Sequence, residues 1–448
     1  MNGLRIFCCA LLVLGLAAPA MATPAPAGYA AAAEAAVKPY VEAGYFSGAV
    51  LVAKDGSPIF RKAFGLADRE WKVAATPETR FRLGSITKQF TATAILQLAE
   101  QGELSLDDPI SKYYPEAPAA WAPVTIRRLL AHTSGIPSYT AIPGFFRQSA
   151  RTDRTPEEII ALTRDKPLAF KPGEKFAYDN TGYVLLGYVI EKVSGQTYQA
   201  YLTDHVFNPL GLKNTGYDVS EAILPMRAAG YSLSATGLRN ASFLSMTLPY
   251  AAGSLYSTVD DLLAWDQALH ANKPLKASSV TAMFTDYGFK YGFGQFIEVE
   301  DGHRVWNHGG GINGFATVLE HLPDDGLTIV VLSNIEQAPV GRIAHLVSAL
   351  YFDPKLAKGV KGPTTAAERA RCLGRYQLSP LVTIEITQDG GRLFAQATSQ
   401  PRTELFRESD STFFVTVAPM LLTFAPGDRA PEVVVHQGGK DTVAKRIG

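Results

Sequence analysis

The sequence predicts an α/β fold: an antiparallel sheet flanked by helices, with a helical subdomain, followed by a small all-β meander or barrel. Three patterns predict it. Strand-like runs stand at both ends of the segment that precedes Tyr351. A long, mainly helical stretch with Pro- and Gly-rich loops lies between them. Beyond Tyr351 the apolar runs become short and alternate with polar residues. Strands from both ends of one segment can assemble into one sheet, and helices then cover it, some of them as an insertion.

The elements follow in order. Ser47–Ala53 is a small apolar run, Lys54-Asp55-Gly56-Ser57 a turn signal and Pro58–Gly65 a second run, together a hairpin. The helical stretch extends from Ile86 to about Trp265–His270. Four strand-like runs come late: Gly292–Val299, His303–His308, Phe315–Leu322 and Leu327–Leu332. The turn Pro323-Asp324-Asp325-Gly326 joins the last two. Lys355–Glu368 holds Gly359, Gly362 and Pro363 without a large apolar cluster, and reads as a linker. After it, Val382, Ile384 and Ile386 alternate with Thr383, Glu385 and Thr387. Asp389-Gly390-Gly391 turns the chain into Leu393–Ala397, and further runs sit at Phe413–Val417, Leu421–Phe424 and Val433–Val435.

Composition bounds the function classes. The 448 residues carry 42 Lys+Arg and 42 Asp+Glu, and 47% of them are hydrophobic, so a disordered or fibrous chain is excluded. Balanced charge without basic blocks argues against nucleic acid as a partner. Arg5, the apolar segment Ile6–Ala18 and Ala20-Met21-Ala22 read as a secretory signal peptide over residues 1–22. The apolar segment is too short to span a bilayer, which takes about 20 residues. A periplasmic or secreted protein with no stable membrane anchor after cleavage is therefore expected. Cys8 and Cys9 leave with the signal, and Cys372 alone cannot form an intramolecular disulfide. The domains expected are 23–354 for the α/β unit, 355–368 for the linker and 369–448 for the β unit. The eight histidines show no H-E-x-x-H and the cysteines no paired spacing, so neither a metal nor a cofactor is expected.

Three segments could carry chemistry. Ser85-Ile86-Thr87-Lys88 is an S-x-x-K, a pattern expected about once by chance in a chain of this composition. Its setting is more telling. Gly84 precedes it, a helical run follows, and Lys88 is the only charged residue between Arg82 and Glu100. On a buried helix Lys88 lies one turn beyond Ser85 on the same face. Desolvation disfavours its charge, and a neutral amine beside a hydroxyl can activate a serine nucleophile. The plainer alternative is an N-cap serine with a lysine that snorkels to solvent. Tyr178-Asp179-Asn180 stands on a loop before the helical run Tyr183–Val193. A phenol and an amide two residues apart can relay a proton and hold a substrate carbonyl. The alternative is a helix N-cap with Tyr178 packed beneath. His308-Gly309-Gly310-Gly311 ends a strand-like run, where glycines leave N–H groups free for an oxyanion; the alternative is a glycine-rich turn with a surface histidine. The lipase reading of H-G-G-G fails, because the chain has no G-x-S-x-G.

In this order the three motifs resemble those of the serine β-lactamases and penicillin-binding proteins, in particular the branch of class C β-lactamases, D,D-peptidases and esterases. Leu129-Leu130-Ala131-His132-Thr133-Ser134-Gly135 and Gly253-Ser254-Leu255-Tyr256-Ser257-Thr258 also look like phrases of that family. The resemblance covers about Tyr40–Tyr351, and the β unit resembles a lipocalin-like module. It implies a β-lactamase/transpeptidase-like fold with Ser85 as the acylated nucleophile and Lys88 in its deprotonation. Tyr178 would shuttle the proton to the leaving group, and Asn180, His308, Gly310 and Gly311 would line the substrate site. The N–H groups of Ser85 and Gly311 would form the oxyanion hole.

One departure bears on substrate. His308 stands where many relatives carry lysine, and Gly309 where many carry threonine. A histidine of ordinary pKa, about 6.5, is mostly neutral at neutral pH, which weakens a carboxylate site. The expectation is an exported serine hydrolase acting on a small-molecule ester or a D-amino-acid peptide or amide. A β-lactamase or D,D-carboxypeptidase is the alternative. A catalytically silent protein binding a cell-wall peptide or lipid is the rival from another class, and the intact Ser85, Lys88 and Tyr178 count against it. His132 reads as a structural turn residue rather than a base. The sequence leaves the oligomeric state open.

Overall fold

In the computed structural model of the protein, residues 25–145, 150–234, 237–353, 364–415, 420–437 and 440–447 are described. The segment 1–22 expected as a signal peptide and most of the expected linker lie outside them. The main sheet has six antiparallel strands. They are β1 (Gly48–Lys54), β2 (Ser57–Phe64), β3 (Phe296–Glu300), β4 (His303–Ile312), β5 (Phe315–Leu322) and β6 (Leu327–Ser333). Their order is β3-β4-β5-β6-β1-β2, so the early hairpin joins the late strands where β1 pairs β6, from Gly48 opposite Ser333 to Lys54 opposite Leu327. Every residue of β6 is buried. Period-two alternation divides β1 between two cores, with Val50 and Val52 facing one and Ala49, Leu51 and Ala53 the other.

The first core is closed by helix α1 (Tyr29–Glu42) and the late helix Val340–Phe352. The second lies under the helical insertion, which includes α2 (Thr87–Glu100), α3 (Asn180–Ser194) and α4 (Val259–His270). α2 is buried almost all round. Several of its polar residues are held by partners: Trp265 Nε1 donates to Gln89 Oε1 at 2.9 Å, and Thr91 Oγ1 donates to the Ala251 carbonyl at 2.7 Å. The insertion is not purely helical. Gly216–Tyr217, Tyr231–Ser234, Gly237–Asn240 and Leu255–Ser257 are strands too short for alternation to show in the sequence. Leu255–Ser257 pairs with Phe81–Arg82 and fixes the chain just before Ser85.

The C-terminal unit is a closed barrel of eight strands, from Gly374–Ser379 to Lys440–Arg446. Gly374–Ser379, Thr403–Arg407 and Lys440–Arg446 are strands that the sequence reading did not single out. The end of the expected linker is ordered: Thr365 and Glu368 make a capping box that opens a helix over Ala366–Cys372. Side chains such as Tyr376, Phe413, Leu422 and Phe424 pack the barrel core. The barrel docks on the α1 side of the sheet. Phe406 lies against Tyr45 and Phe414 against Tyr40, with ring centroids 3.9 and 5.0 Å apart, and Arg342 pairs with Glu408.

Candidate active site

Gly84 opens the turn that presents Ser85. Its φ of +55° is a left-handed conformation that glycine adopts without strain, and a Cβ there would stand 3.0 Å from the Gly311 nitrogen. The 3-10 turn Gly84–Ile86 then runs directly into α2, so Lys88 returns one turn later beneath Ser85. Lys88 is fully buried. Its Nζ lies 3.0 Å from Ser85 Oγ, 2.8 Å from Asn180 Oδ1 and 2.8 Å from the Ala252 carbonyl oxygen. Burial drives its pKa well below the ordinary lysine value, against the opposing charge of Asp179. A neutral amine has two hydrogens and one lone pair. The amide and carbonyl oxygens can only accept, so they take the two hydrogens and the lone pair is left for the Ser85 hydroxyl. Snorkelling to solvent is excluded by this geometry.

The α3 N-terminus supplies the second group. Asp179 is the cap: its Oδ2 accepts from the Gly182 N–H at 3.0 Å. The cap turns the chain so that Asn180 and Tyr178 face the serine from one side. Asn180 donates from Nδ2 to Thr140 Oγ1 at 3.1 Å while its Oδ1 holds Lys88. The Tyr178 ring lies under the Lys88 amine, 4.7 Å from its centroid to Nζ. Its buried hydroxyl has no hydrogen-bond partner among the described residues. Burial raises the phenol pKa, and Ser85 is the neighbour that pulls it back. Cap and functional tyrosine therefore coexist in one tripeptide. His132 holds this loop: at φ +54°, its Nδ1 accepts from the Asp179 N–H at 3.0 Å, and its ring packs on Tyr178 at 4.3 Å.

The third motif ends β4 beside the Ser85 turn. Gly310 is a contact of necessity, because a Cβ there would stand 1.8 Å from the Leu83 carbonyl oxygen and 2.4 Å from Thr317 Oγ1. Gly311 is exposed next to Ser85. His308 is not the surface histidine of the alternative reading, nor the histidine of ordinary pKa that the substrate argument assumed. It is buried, its Nε2 lies 3.1 Å from the Tyr291 hydroxyl and its Nδ1 2.6 Å from the Gly309 carbonyl. Burial, helped by the Lys88 charge, pushes its pKa down to about 3, so the ring is neutral across the physiological range.

A cleft of about 880 Å³ opens over these groups. Ser85, Asn180 and Gly311 line it, with Tyr139, Thr140, Leu248, Arg239 and Glu336. Lys88, Tyr178 and His308 are not among its described lining residues; Lys88 stands behind Ser85 and Asn180. Arg239 is the one cationic side chain among the described lining residues, and its guanidinium makes no ion pair with a described residue. Thr140, Ala252 and Arg239 had no signal in the sequence: the first two act through a single oxygen each, and the third lies on a four-residue strand. The arrangement brings together a hydroxyl, a buried amine whose proton affinity burial lowers, a phenol and a glycine-rich strand end, the parts that an acyl-transfer site requires.

Three comparisons bear on this site. The sequence pattern of the family described as Beta-lactamase matches residues 33–350. A penicillin-binding protein of Bacillus subtilis is 29% identical over 445 residues, covering 90% of this chain and 95% of its own. The structure of an octameric penicillin-binding protein homologue from Pyrococcus abyssi covers 91% of this chain and 98% of its own, with TM-score 0.67 and 29% identity. A D-stereospecific amidohydrolase from Streptomyces sp. covers 72% and 99%, with TM-score 0.61 and 29% identity.

Proposed function

The chain belongs to the beta-lactamase family, whose fold relatives are serine hydrolases, and on that premise we propose that it cleaves D-amino-acid amides or peptides, and related esters, through an acyl-enzyme on Ser85. The observation that carries the reading is the three-way setting of the Lys88 amine. Ser85 Oγ attacks the carbonyl carbon and its proton passes to the Lys88 lone pair. The carbonyl oxygen becomes an oxyanion held by the N–H groups of Ser85 and Gly311. Collapse breaks the C–N or C–O bond, and Tyr178 delivers a proton to the leaving group, its own hydroxyl being replenished from Lys88. Water then repeats the sequence in reverse and releases the acid. The D-configured substrate class rests on the likeness to the amidohydrolase. Export from the cytoplasm is part of the same proposal and rests on residues 1–22.

Carboxylate-bearing β-lactams and D,D-dipeptides find no cation at position 308, where the imidazole is neutral. Their recognition would fall to Arg239, which is why amides and esters are put first. The test is mass spectrometry of the mature protein after D-amino-acid amides, D-alanyl peptides, p-nitrophenyl esters and penicillin. An acyl adduct on Ser85 from the amide or ester is expected. An adduct from penicillin alone would replace this reading with the β-lactamase one, and no adduct from any of them would favour a silent binding protein.

A further inference from the structure

A second cluster lies away from the Ser85 cleft, where α4 crosses the sheet. Asp266 and His270 stand one turn apart on α4, and His321 comes from β5. His321 Nδ1 is 2.9 Å from Asp266 Oδ2, and His270 Nε2 is 3.3 Å from Asp266 Oδ1. One donor atom from each of the three residues lies within 4.8 Å of the other two. The imidazole rings stack at 3.9 Å, so both present an edge to the same carboxylate.

We propose that Asp266, His270 and His321 form a binding site for a divalent transition-metal ion of the zinc class, with water completing the shell. Donor atoms about 2.0–2.1 Å from a tetrahedral zinc ion stand about 3.3 Å from each other; each imidazole nitrogen lies near that distance from one of the two Asp266 oxygens, and the three donors stay within 4.8 Å of one another. Two imidazole nitrogens are borderline donors, and with one carboxylate oxygen beside them the set suits zinc, cobalt or nickel rather than calcium or magnesium, which take oxygen ligands. The carboxylate is itself oriented: Thr328 Oγ1, on β6, donates to Asp266 Oδ2 at 2.7 Å. Asp266 is buried, but the His270 and His321 side chains are 20% and 16% exposed, which leaves an open side for the ion. The spacing escapes a sequence search because the third ligand lies on another element, far along the chain.

The role is a clasp. α4 follows the Ala252–Thr258 segment, whose Ala252 carbonyl holds Lys88, and β5 pairs with the strand that carries Gly311. An ion there ties the two walls of the catalytic frame together without touching substrate. The site makes no use of the Ser85 chemistry, so it stands or falls separately from the proposed function.

The experiment titrates zinc into the chelator-stripped mature chain by calorimetry. One ion per chain and a zinc-dependent rise in melting temperature are expected. His270→Ala and His321→Ala should each weaken binding at least tenfold and abolish that rise, with far-UV dichroism confirming their fold. X-ray absorption on the zinc-loaded wild type, which needs no variant, should show two imidazole ligands. Absence of stoichiometric binding, a shell without imidazole, or unchanged affinity in a folded double variant would each overturn the site.

Discussion

Replacing Asp179 with asparagine should make the protein more stable, and only above a definite pH. Burial raises the Asp179 pKa from 3.8 to about 7, against hydrogen bonds from the Gly182 and Thr181 N–H groups and the attraction of Lys88. Between those values the folded state keeps a proton that the unfolded chain has released. The folded state is then favoured fully below pH 3.8 and progressively loses that advantage as pH rises through 7. The interval corresponds to about 4 kcal/mol at its upper limit. Asparagine is neutral at every pH, its Oδ1 can still accept from Gly182, and it caps a helix as well as aspartate does. Urea unfolding should therefore give wild type and D179N equal stability near about pH 4, with the variant ahead by up to about 4 kcal/mol at about pH 8. The variant also lacks the charge that holds the Lys88 pKa up, so the acid limb of kcat/KM should move to lower pH. A stability difference that is independent of pH, or a variant weaker at pH 8, would refute the placement of a desolvated carboxylate at this cap.

Further predictions concern the strand, His308, the cleft and the barrel. Gly310→Ala sets a Cβ against the Leu83 carbonyl, a backbone atom that cannot rotate aside, so the strand must move off the Ser85 turn. Displacement of about 1 Å at such a site costs about a hundredfold in kcat/KM, which ester kinetics would read, and a smaller loss than tenfold would mean the strand is not a positioning element. Because His308 is neutral, binding of a carboxylate ligand to the S85A variant should be flat between about pH 5.5 and pH 8 rather than tightening in acid. Calorimetry in that background should show Arg239→Ala weakening the same ligand severalfold and leaving a neutral ester analogue unaffected, an exposed ion pair being worth up to about 1 kcal/mol. A chain ending near Lys358 should keep ester turnover at low temperature, since no barrel residue lines the described cleft. It should melt below the full chain, because Tyr40 and Tyr45 lose their ring partners Phe414 and Phe406 and the apolar face they share opens to water. An unchanged melting curve would show that the docked face contributes nothing.

What could be read from the sequence follows from range. The hairpin, the late strands and α2 are specified by local periodicity, and the structure places them within a few residues of the expected bounds. Lys88 was legible for a related reason: a lone charge in a run of apolar and small residues must be either satisfied inside or excluded, and only a buried frame of acceptors makes the first possible. His308 shows where local reading fails. Its titration is set by Tyr291, Phe296 and Tyr178, residues of other segments that close over the ring and remove its water. The same holds for Arg239 and for the Asp266–His270–His321 cluster, where the chemistry comes from elements that meet only in the folded chain. Motifs of three or four residues thus locate the nucleophile and its base. The polarity of the walls around them, which decides what binds, is written in side chains scattered through the insertion. In this chain Arg239 and Glu336 line the cleft and can be replaced without touching the Ser85–Lys88 frame, which the Leu83, Gly84 and Gly310 backbone contacts constrain.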